Sequence, residues 1–488
     1  MTVNFRWSII GFVISSSVAF ASESPLPQVD EKAKLNQSPV PDHFFRPGPS
    51  YENDFYDADA QLEIYGGKTA FDPPRAIEFF RPIYTEGPFK PGNELLGSNN
   101  LIFPSLSIYG DSRTAFAYTD NGSNHESQIA TRLNLDIDFK ITGTERVHAS
   151  IRPLDDGTRF TRHRFSGSQG KNSQTIFDPE LDTLFFEGDL GALLSGWTAE
   201  SSSFDLPFSF GLMPLVFQNG IWVDDAITGF AFSAAAKNSK SFDISNYDVT
   251  FFAGFDRVTS AALANDEDSK VYGVSLFADA NHGHWEAGIA RIDTDGQLSG
   301  LDYTSASLAF TKRYLDRFAN STRLIGSFDQ QPPIGTAQTA DGVMLLVENS
   351  VVTSSPSTFV PYANFFFGFD KPQPLASENG LLKNTGISFE TDGLTGFPKL
   401  DDSGEDSYGG AIGLQYLFNL DQQLVFEIAT VKPRDKNRAG AVLEQSAFSA
   451  RYQKPLQQDL IFRMDAMYAE RSGASDLSGV RAELRLKF

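Results

Sequence analysis

The sequence predicts an all-β fold: a closed antiparallel barrel of about 16 strands, with a range of roughly 14 to 18, that crosses a membrane behind a Pro-rich N-terminal extension. Three observations predict it. Apolar and charged residues alternate one by one over segments of roughly ten residues, the period of a strand with one greasy and one ionic face. Aromatic residues are abundant, with 44 Phe, 15 Tyr and 4 Trp beside 40 Gly, although only 41% of the chain is hydrophobic. A bundle of membrane-spanning helices needs several apolar runs of about 20 residues. Only one apolar run approaches that kind, and it lies at the very start.

That run, Trp7 to Phe20, follows Arg6 and ends in Ala19-Phe20-Ala21, so residues 1–21 read as a cleavable secretory signal peptide and the chain as exported. An uncleaved anchor is the alternative, for which the stretch is short. Residues 22–100 form a Pro-rich extension. Pro25, Pro27, Pro39, Pro41, Pro47 and Pro49, with further prolines from Pro73 to Pro91, forbid central strands and long helices. Residues 22–50 read as disordered or extended. The aromatic stretch Tyr51 to Pro91 reads as a plug, a periplasmic docking segment or an ordered leader along the rim. The barrel occupies residues 101–488.

In Ile129 to Ile141, Leu133, Leu135, Ile137 and Phe139 share one face, and Arg132, Asn134, Asp136, Asp138 and Lys140 share the other. No helical period fits that segment. Three more alternating segments end the chain: Ala447 to Lys454, Asp459 to Glu470 and Gly479 to Phe488. Short polar turns join them, which makes an antiparallel meander that must close or expose its edges. Further strands are expected at 106–118, 147–152, 206–217, 247–255, 271–280, 285–292, 303–313, 321–328, 343–351, 362–369, 408–418 and 424–431. The segments 181–201 and the neighbourhood of Ile227 stay undecided. An even number is favoured for such barrels, and at about 16 strands the lumen is expected to be an aqueous channel.

A signal peptide, no cysteine, many alternating strands and a last strand ending in an aromatic residue resemble a Gram-negative outer-membrane β-barrel protein of porin-like type. The resemblance covers residues 101–488. It implies location in the bacterial outer membrane, and that Val480, Leu484, Leu486 and Phe488 form the signal read by the barrel-assembly machinery. The physical reason stands apart from the family: in hydrocarbon every backbone N–H and C=O needs a partner, which a sheet achieves only by closing on itself. A secreted soluble β-sandwich or propeller is the competing reading, and it would turn the Phe faces inward.

Long loops rich in Gly, Pro, Ser and Asp at 155–182, 330–341, 372–384 and 391–407 are expected on the outer face, and tight turns such as 419–422 and 457–458 on the periplasmic one. The sequence leaves open whether one of the long loops folds inward as a constriction, and does not say which.

Chemistry is sparse. The absence of Cys excludes disulfides, thiolate metal sites and Cys nucleophiles. The 62 acidic against 40 basic residues, a formal charge of -22, exclude a basic nucleic-acid groove. His148-Ala149-Ser150 resembles the His-x-Ser strand of outer-membrane phospholipases, but Ile151-Arg152 follows where that family has Asn-Gly, so no catalytic residue is assigned and no enzyme is expected. His282-Gly283-His284 has the spacing of two metal ligands, yet Asn281-His282-Gly283 reads better as a hairpin turn. Gly66-Gly67-Lys68-Thr69 lacks the spacing of a phosphate loop. No metal and no cofactor is expected.

What remains is the lumen wall. Arg451, Arg463, Asp465, Arg481, Glu483, Arg485 and Lys487 project inward from the last strands, and Arg132, Asp136, Asp138 and Lys140 from an early strand that closure brings near them. These groups either bias the passage of polar solutes or satisfy one another and stiffen the wall. The expected function is passive diffusion of small hydrophilic solutes. A dedicated export or partner-sheathing conduit, a non-conducting scaffold or adhesion barrel, and a lipid hydrolase are the alternatives. Expected partners are outer-membrane lipid, lipopolysaccharide, the assembly machinery and the solute, with no nucleic acid and with a homo-oligomer left open.

Overall fold

The chain divides into two units, Met1–Pro74 and Arg75–Phe488. The computed structural model describes, in the second, the strand Ile77–Phe79 and residues 93–97, 99–157, 159–168, 170–263, 269–332, 337–390, 393–418, 422–438 and 440–488. The signal peptide 1–21 and most of the Pro-rich extension 22–100 lie outside the described residues.

Eighteen strands build the wall: β1 (Ser105–Asp120), β2 (His125–Lys140), β3 (Arg146–Ile151), β4 (Leu181–Asp189), β5 (Pro207–Phe217), β6 (Val223–Ser239), β7 (Ile244–Asp256), β8 (Ser269–Ala280), β9 (Gly283–Thr294), β10 (Tyr303–Tyr314), β11 (Phe318–Phe328), β12 (Asp341–Val351), β13 (Phe359–Lys371), β14 (Ser407–Phe418), β15 (Gln422–Pro433), β16 (Gln445–Pro455), β17 (Leu460–Arg471) and β18 (Leu477–Lys487). Each pairs antiparallel with the next, and β18 pairs back with β1 from Asp111↔Lys487 to Asp120↔Ser478, which closes the sheet.

The expected count of about 16 is therefore corrected to 18. The two extra strands are the two segments that alternation left undecided. In β4, Phe185 and Phe186 are adjacent and both sides of the strand are apolar, because Phe185 packs inward on the core and stacks on His148. β6 is rich in Ala, Gly and Ser, which show little contrast between faces, and its first residues leave the wall.

The faces segregate. Phe426, Ile428, Phe448, Val480, Leu484 and Leu486 are exposed on the outside, whereas their chain neighbours Glu427, Ser449, Arg481 and Glu483 are buried. An apolar outer belt around a closed wall satisfies both demands of hydrocarbon: no unpaired edge and no exposed charge at mid-depth. Both termini of the barrel lie at one end, together with the tight turns 281–282, 315–317 and 456–459. The Asn281-His282 turn uses positive φ at both residues, 59° and 58°, as a two-residue hairpin requires, so the turn reading of His282 holds.

Two elements fold into the lumen. The tip of the β5–β6 hairpin leaves the wall and reaches across to β10 and β11: the Trp222 indole donates to Ser305 Oγ at 3.0 Å, and Gln218 Nε2 donates to Ser307 Oγ at 2.6 Å. The connection 372–406 crosses the interior from β6 towards β1. Its Leu375, Leu381, Leu382, Phe389 and Leu400 are buried in one cluster with Trp222 of the hairpin tip and with Ile227, Ile292, Ile325, Met344 and Leu346 of the strands. The sequence placed 372–384 and 391–407 among the outer loops. They start and end there, but their apolar residues find their burial inside, so part of the lumen is a dry core rather than water.

Candidate functional site

The charged wall is assembled by register. β16, β17 and β18 bring Arg451, Asp465 and Arg481 into one row, with Arg463 and Glu483 in the row beside it. β1 inserts between β18 and β2 and sets Arg113 opposite both Arg485 and Arg132. Six arginines (Arg113, Arg132, Arg451, Arg463, Arg481 and Arg485) thus stand on five adjacent strands, because alternation sends every second residue of each strand inward.

Their counter-charges are close. The Asp465 carboxylate accepts from Arg451 Nε at 2.7 Å, Arg463 Nε at 2.8 Å and Arg481 Nη2 at 2.7 Å. Glu483 pairs with Arg113 at 2.7 Å, Asp111 with Arg485 at 2.6 Å, and Asp155, from the connection after β3, with Arg132 at 2.9 Å. Burial pushes the Asp155 carboxyl up, which Arg132 and Arg152 only partly offset. Removing a single buried member of such a network leaves its partners uncompensated, so the groups hold one another in place.

The inward connection 372–406 is clamped to this wall. Glu390 accepts from Arg451 Nη1 at 2.7 Å and lies 3.7 Å from Arg463 Nη2. Burial alone would raise the Glu390 carboxyl, but Arg451 and Arg463 beside it hold it down, at about 2. Glu427 of β15 accepts the Ile387 and Ser388 backbone N–H groups at 3.0 and 2.8 Å and the Tyr362 hydroxyl at 2.5 Å. Ser388 Oγ meets Ser449 Oγ at 2.7 Å, and Phe397 lies under the Arg481 guanidinium at 5.2 Å. At the other end Lys383 reaches Asp224 at 3.3 Å, and Ala376-Ser377 pair with the start of β6. Across the barrel, Arg323 of β11 pairs with Glu348 at 3.1 Å and takes Gln218 as acceptor at 3.2 Å.

Of the residues singled out from sequence, Arg451, Arg463, Asp465 and Arg481 meet in one cluster, with Glu483 and Arg485 in the pairs beside it. Arg132 lies in a separate pair. Asp138 stands 3.7 Å from Arg146 and 3.8 Å from His148, Lys140 lies over the Phe103 ring at 5.0 Å, and Asp136 is half-buried on β2; these three are outside the cluster. Val480, Leu484 and Leu486 face outward, and the Phe488 backbone exchanges hydrogen bonds with Gly110 at 2.9 and 3.1 Å. His148 Nε2 is 3.0 Å from Glu187, while Ser150 Oγ is 2.7 Å from Thr183 Oγ1, so each has its own partner. Among the described residues no group of three or more His, Cys, Asp or Glu is arranged to hold a metal ion.

Sequence reading missed Arg113, Arg323, Glu390 and Glu427. Glu427 carried the clearest signal: a lone acid within the apolar run Leu424 to Val431 must face whatever the run does not.

Closure, a greasy outside and an ionic inside define the class: this is a membrane-spanning β-barrel protein with the fold of bacterial outer-membrane barrels. No family model and no curated protein sequence matches the chain. Among solved structures, the outer membrane protein OpdK of Pseudomonas aeruginosa matches with a TM-score of 0.50 at 10% identity, covering 78% of this chain and 98% of that one. A structure of OpdK with vanillate matches with the same values. Wzi of Escherichia coli, described as an outer membrane protein involved in group 1 capsule assembly and as a carbohydrate-binding β-barrel, has a TM-score of 0.45 at 13% identity, covering 78% of this chain and 84% of that one. At such identities the likeness is one of fold.

Proposed function

We propose that the protein is a porin-like channel through which small hydrophilic solutes diffuse across the outer membrane. One observation supports this most: charged side chains are sequestered inside a closed wall whose outside is apolar, the arrangement a polar solute needs to cross hydrocarbon without entering it. On this reading Arg132, Asp136, Asp138, Lys140, Arg451, Arg463, Asp465, Arg481, Glu483 and Arg485 line or shape the path. Residues 1–21 are removed on export, residues 22–100 form an extension preceding the barrel, and Val480, Leu484, Leu486 and Phe488 serve assembly. Planar-bilayer recording of the purified protein tests the proposal: discrete conductance steps are expected, and their absence favours a non-conducting scaffold.

A substrate-dedicated conduit is the second reading. The connection 372–406 and the β5–β6 tip favour it, since both occupy lumen that a general diffusion pore leaves to water. Vanillate, present in one of the matched OpdK structures, is a suitable first solute. Uptake into vesicles that saturates with vanillate concentration supports the dedicated conduit, whereas linear uptake supports diffusion.

A further inference from the structure

Helix α1 (Leu190–Thr198) joins β4 to β5 at the tight-turn end of the barrel. Its faces are reversed relative to a helix in water. Helical residues advance by about 100° each, so Leu190, Leu193, Leu194 and Trp197 share one side, and Gly191, Ala192, Ser195 and Gly196 the other. The small side is the packed one. A Cβ on Gly191 would come within 2.0 Å of the Phe204 carbonyl oxygen, and one on Gly196 within 2.2 Å of that of Leu96. The large side is the more open one, with Trp197 67% and Leu190 37% exposed and Leu193 and Leu194 half-buried. No residue from Leu190 to Thr198 is charged.

The presentation is fixed rather than frayed. Asp189 caps the helix, its carboxylate accepting from the Ala192 and Leu206 N–H groups at 2.8 and 2.9 Å. The open side also continues the outer belt. Leu190 follows Leu184, Phe186 and Gly188 on the outward face of β4, and the Phe186 ring lies 5.3 and 6.0 Å from Phe210 and Phe208 on the outward face of β5. A stripe of this kind facing water would be turned inward during folding; one that runs on from a lipid-facing belt has lipid to meet.

We infer that α1 is an interfacial helix that docks on the phospholipid leaflet at the tight-turn side, with Trp197 at headgroup depth and Leu190 and Leu194 among the upper acyl carbons. The partner is the lipid surface itself. A second copy of the chain, another segment of this chain or a periplasmic protein are the competing occupants.

The test compares Trp285→Phe with Trp285→Phe/Trp197→Phe, both refolded as full-length protein in phosphatidylcholine vesicles, so that the difference spectrum reports Trp197 while Trp7 and Trp222 stay in both. Two quenchers are applied: phosphatidylcholine brominated on the upper acyl carbons, and aqueous acrylamide. Strong quenching by the bromolipid with weak quenching by acrylamide is the expected result. Quenching by acrylamide alone overturns the inference by placing Trp197 in water. Protection from both overturns it equally by placing protein over the helix, and chemical cross-linking then tells a second copy from a segment of the same chain. Neither result depends on whether the barrel conducts.

Discussion

Replacing Ile428 by Arg tests the orientation of the wall at its most demanding point. Ile428 is 64% exposed and lies in register between Ile412 of β14, itself 62% exposed, and Phe448 of β16. It is the seventh residue of β15; six steps of about 3.3 Å at a tilt of about 40° place it roughly 15 Å above the start of the strand, near the middle of a belt about 25 Å tall. An arginine at that depth on a lipid-facing strand costs about 2–4 kcal/mol, which lowers the folding equilibrium constant about 30- to 900-fold. Thr430→Arg, on the same face and about 5 Å nearer the loops, should cost less, tending towards about 1 kcal/mol near the interface. The native sequence already tolerates Lys432 one further step along that face. Reversible guanidinium unfolding in phospholipid vesicles measures both. A cost below about 1 kcal/mol at Ile428, or equal costs at the two positions, would refute the lipid-facing assignment of the even residues of β15.

Charge reversal at Arg481 and Arg485 is expected to shift ion selectivity in bilayer recordings towards cations, and unchanged reversal potentials would remove these residues from the conduction path. Replacing residues 376–403 by a short Gly-Ser link should raise single-channel conductance, because β13 and β14 keep their pairing from Phe359↔Tyr416 to Phe367↔Tyr408; an unaltered conductance would show that the loop does not limit passage. The Glu390 clamp sets a pH window. Its folded value of about 2 lies below the ordinary 4.5, so the stabilisation is complete above about pH 4.5 and is lost as pH falls through about 2. Current noise from loop motion should therefore stay constant from neutral pH down to about 4.5 and rise below it, whereas Glu390→Gln should show the raised noise at every pH.

What the sequence made legible follows from alternation. Ile129 to Ile141 and Gly479 to Phe488 carry charge on every second residue or nearly so, and the structure turns Arg132, Arg481 and Glu483 inward as that pattern requires. Alternation fails where both faces are apolar. In Val343-Met344-Leu345-Leu346-Val347, Val343 and Leu345 meet lipid while Met344 and Leu346 are buried against the inward elements. Such two-sided runs mark the strands behind which the lumen is dry. The complementary signal lay in the loop: Leu375, Leu381, Leu382, Leu394 and Leu400 are too many large apolar residues for a segment bathed in water, but they follow no period, so only the fold shows what they cover.

The inward connection also matches the wall residue by residue. Leu375, Leu381 and Leu382 lie in the apolar cluster with Trp222, Ile292, Ile325, Met344 and Leu346, which Phe389 and Leu400 also join, whereas Lys383, Ser388, Glu390, Phe397 and Asp401 meet charged or polar groups on β6, β15, β16 and β18. Apolar packing is nearly indifferent to salt, whereas ion pairs weaken as ionic strength rises to the extent that water reaches them, and the Arg451 and Glu390 side chains keep 14% and 19% of their surface exposed. High salt should therefore loosen the Glu390 end of the connection while leaving the Leu375 end docked. Cross-linking separates the two. A cysteine pair at Ser388 and Ser449 should form a disulfide more slowly in high salt, and a pair at Ala376 and Val223 at an unchanged rate. Equal sensitivity at both sites would mean that the connection moves as one rigid body, and the ionic cluster would then hold it no differently from the apolar one.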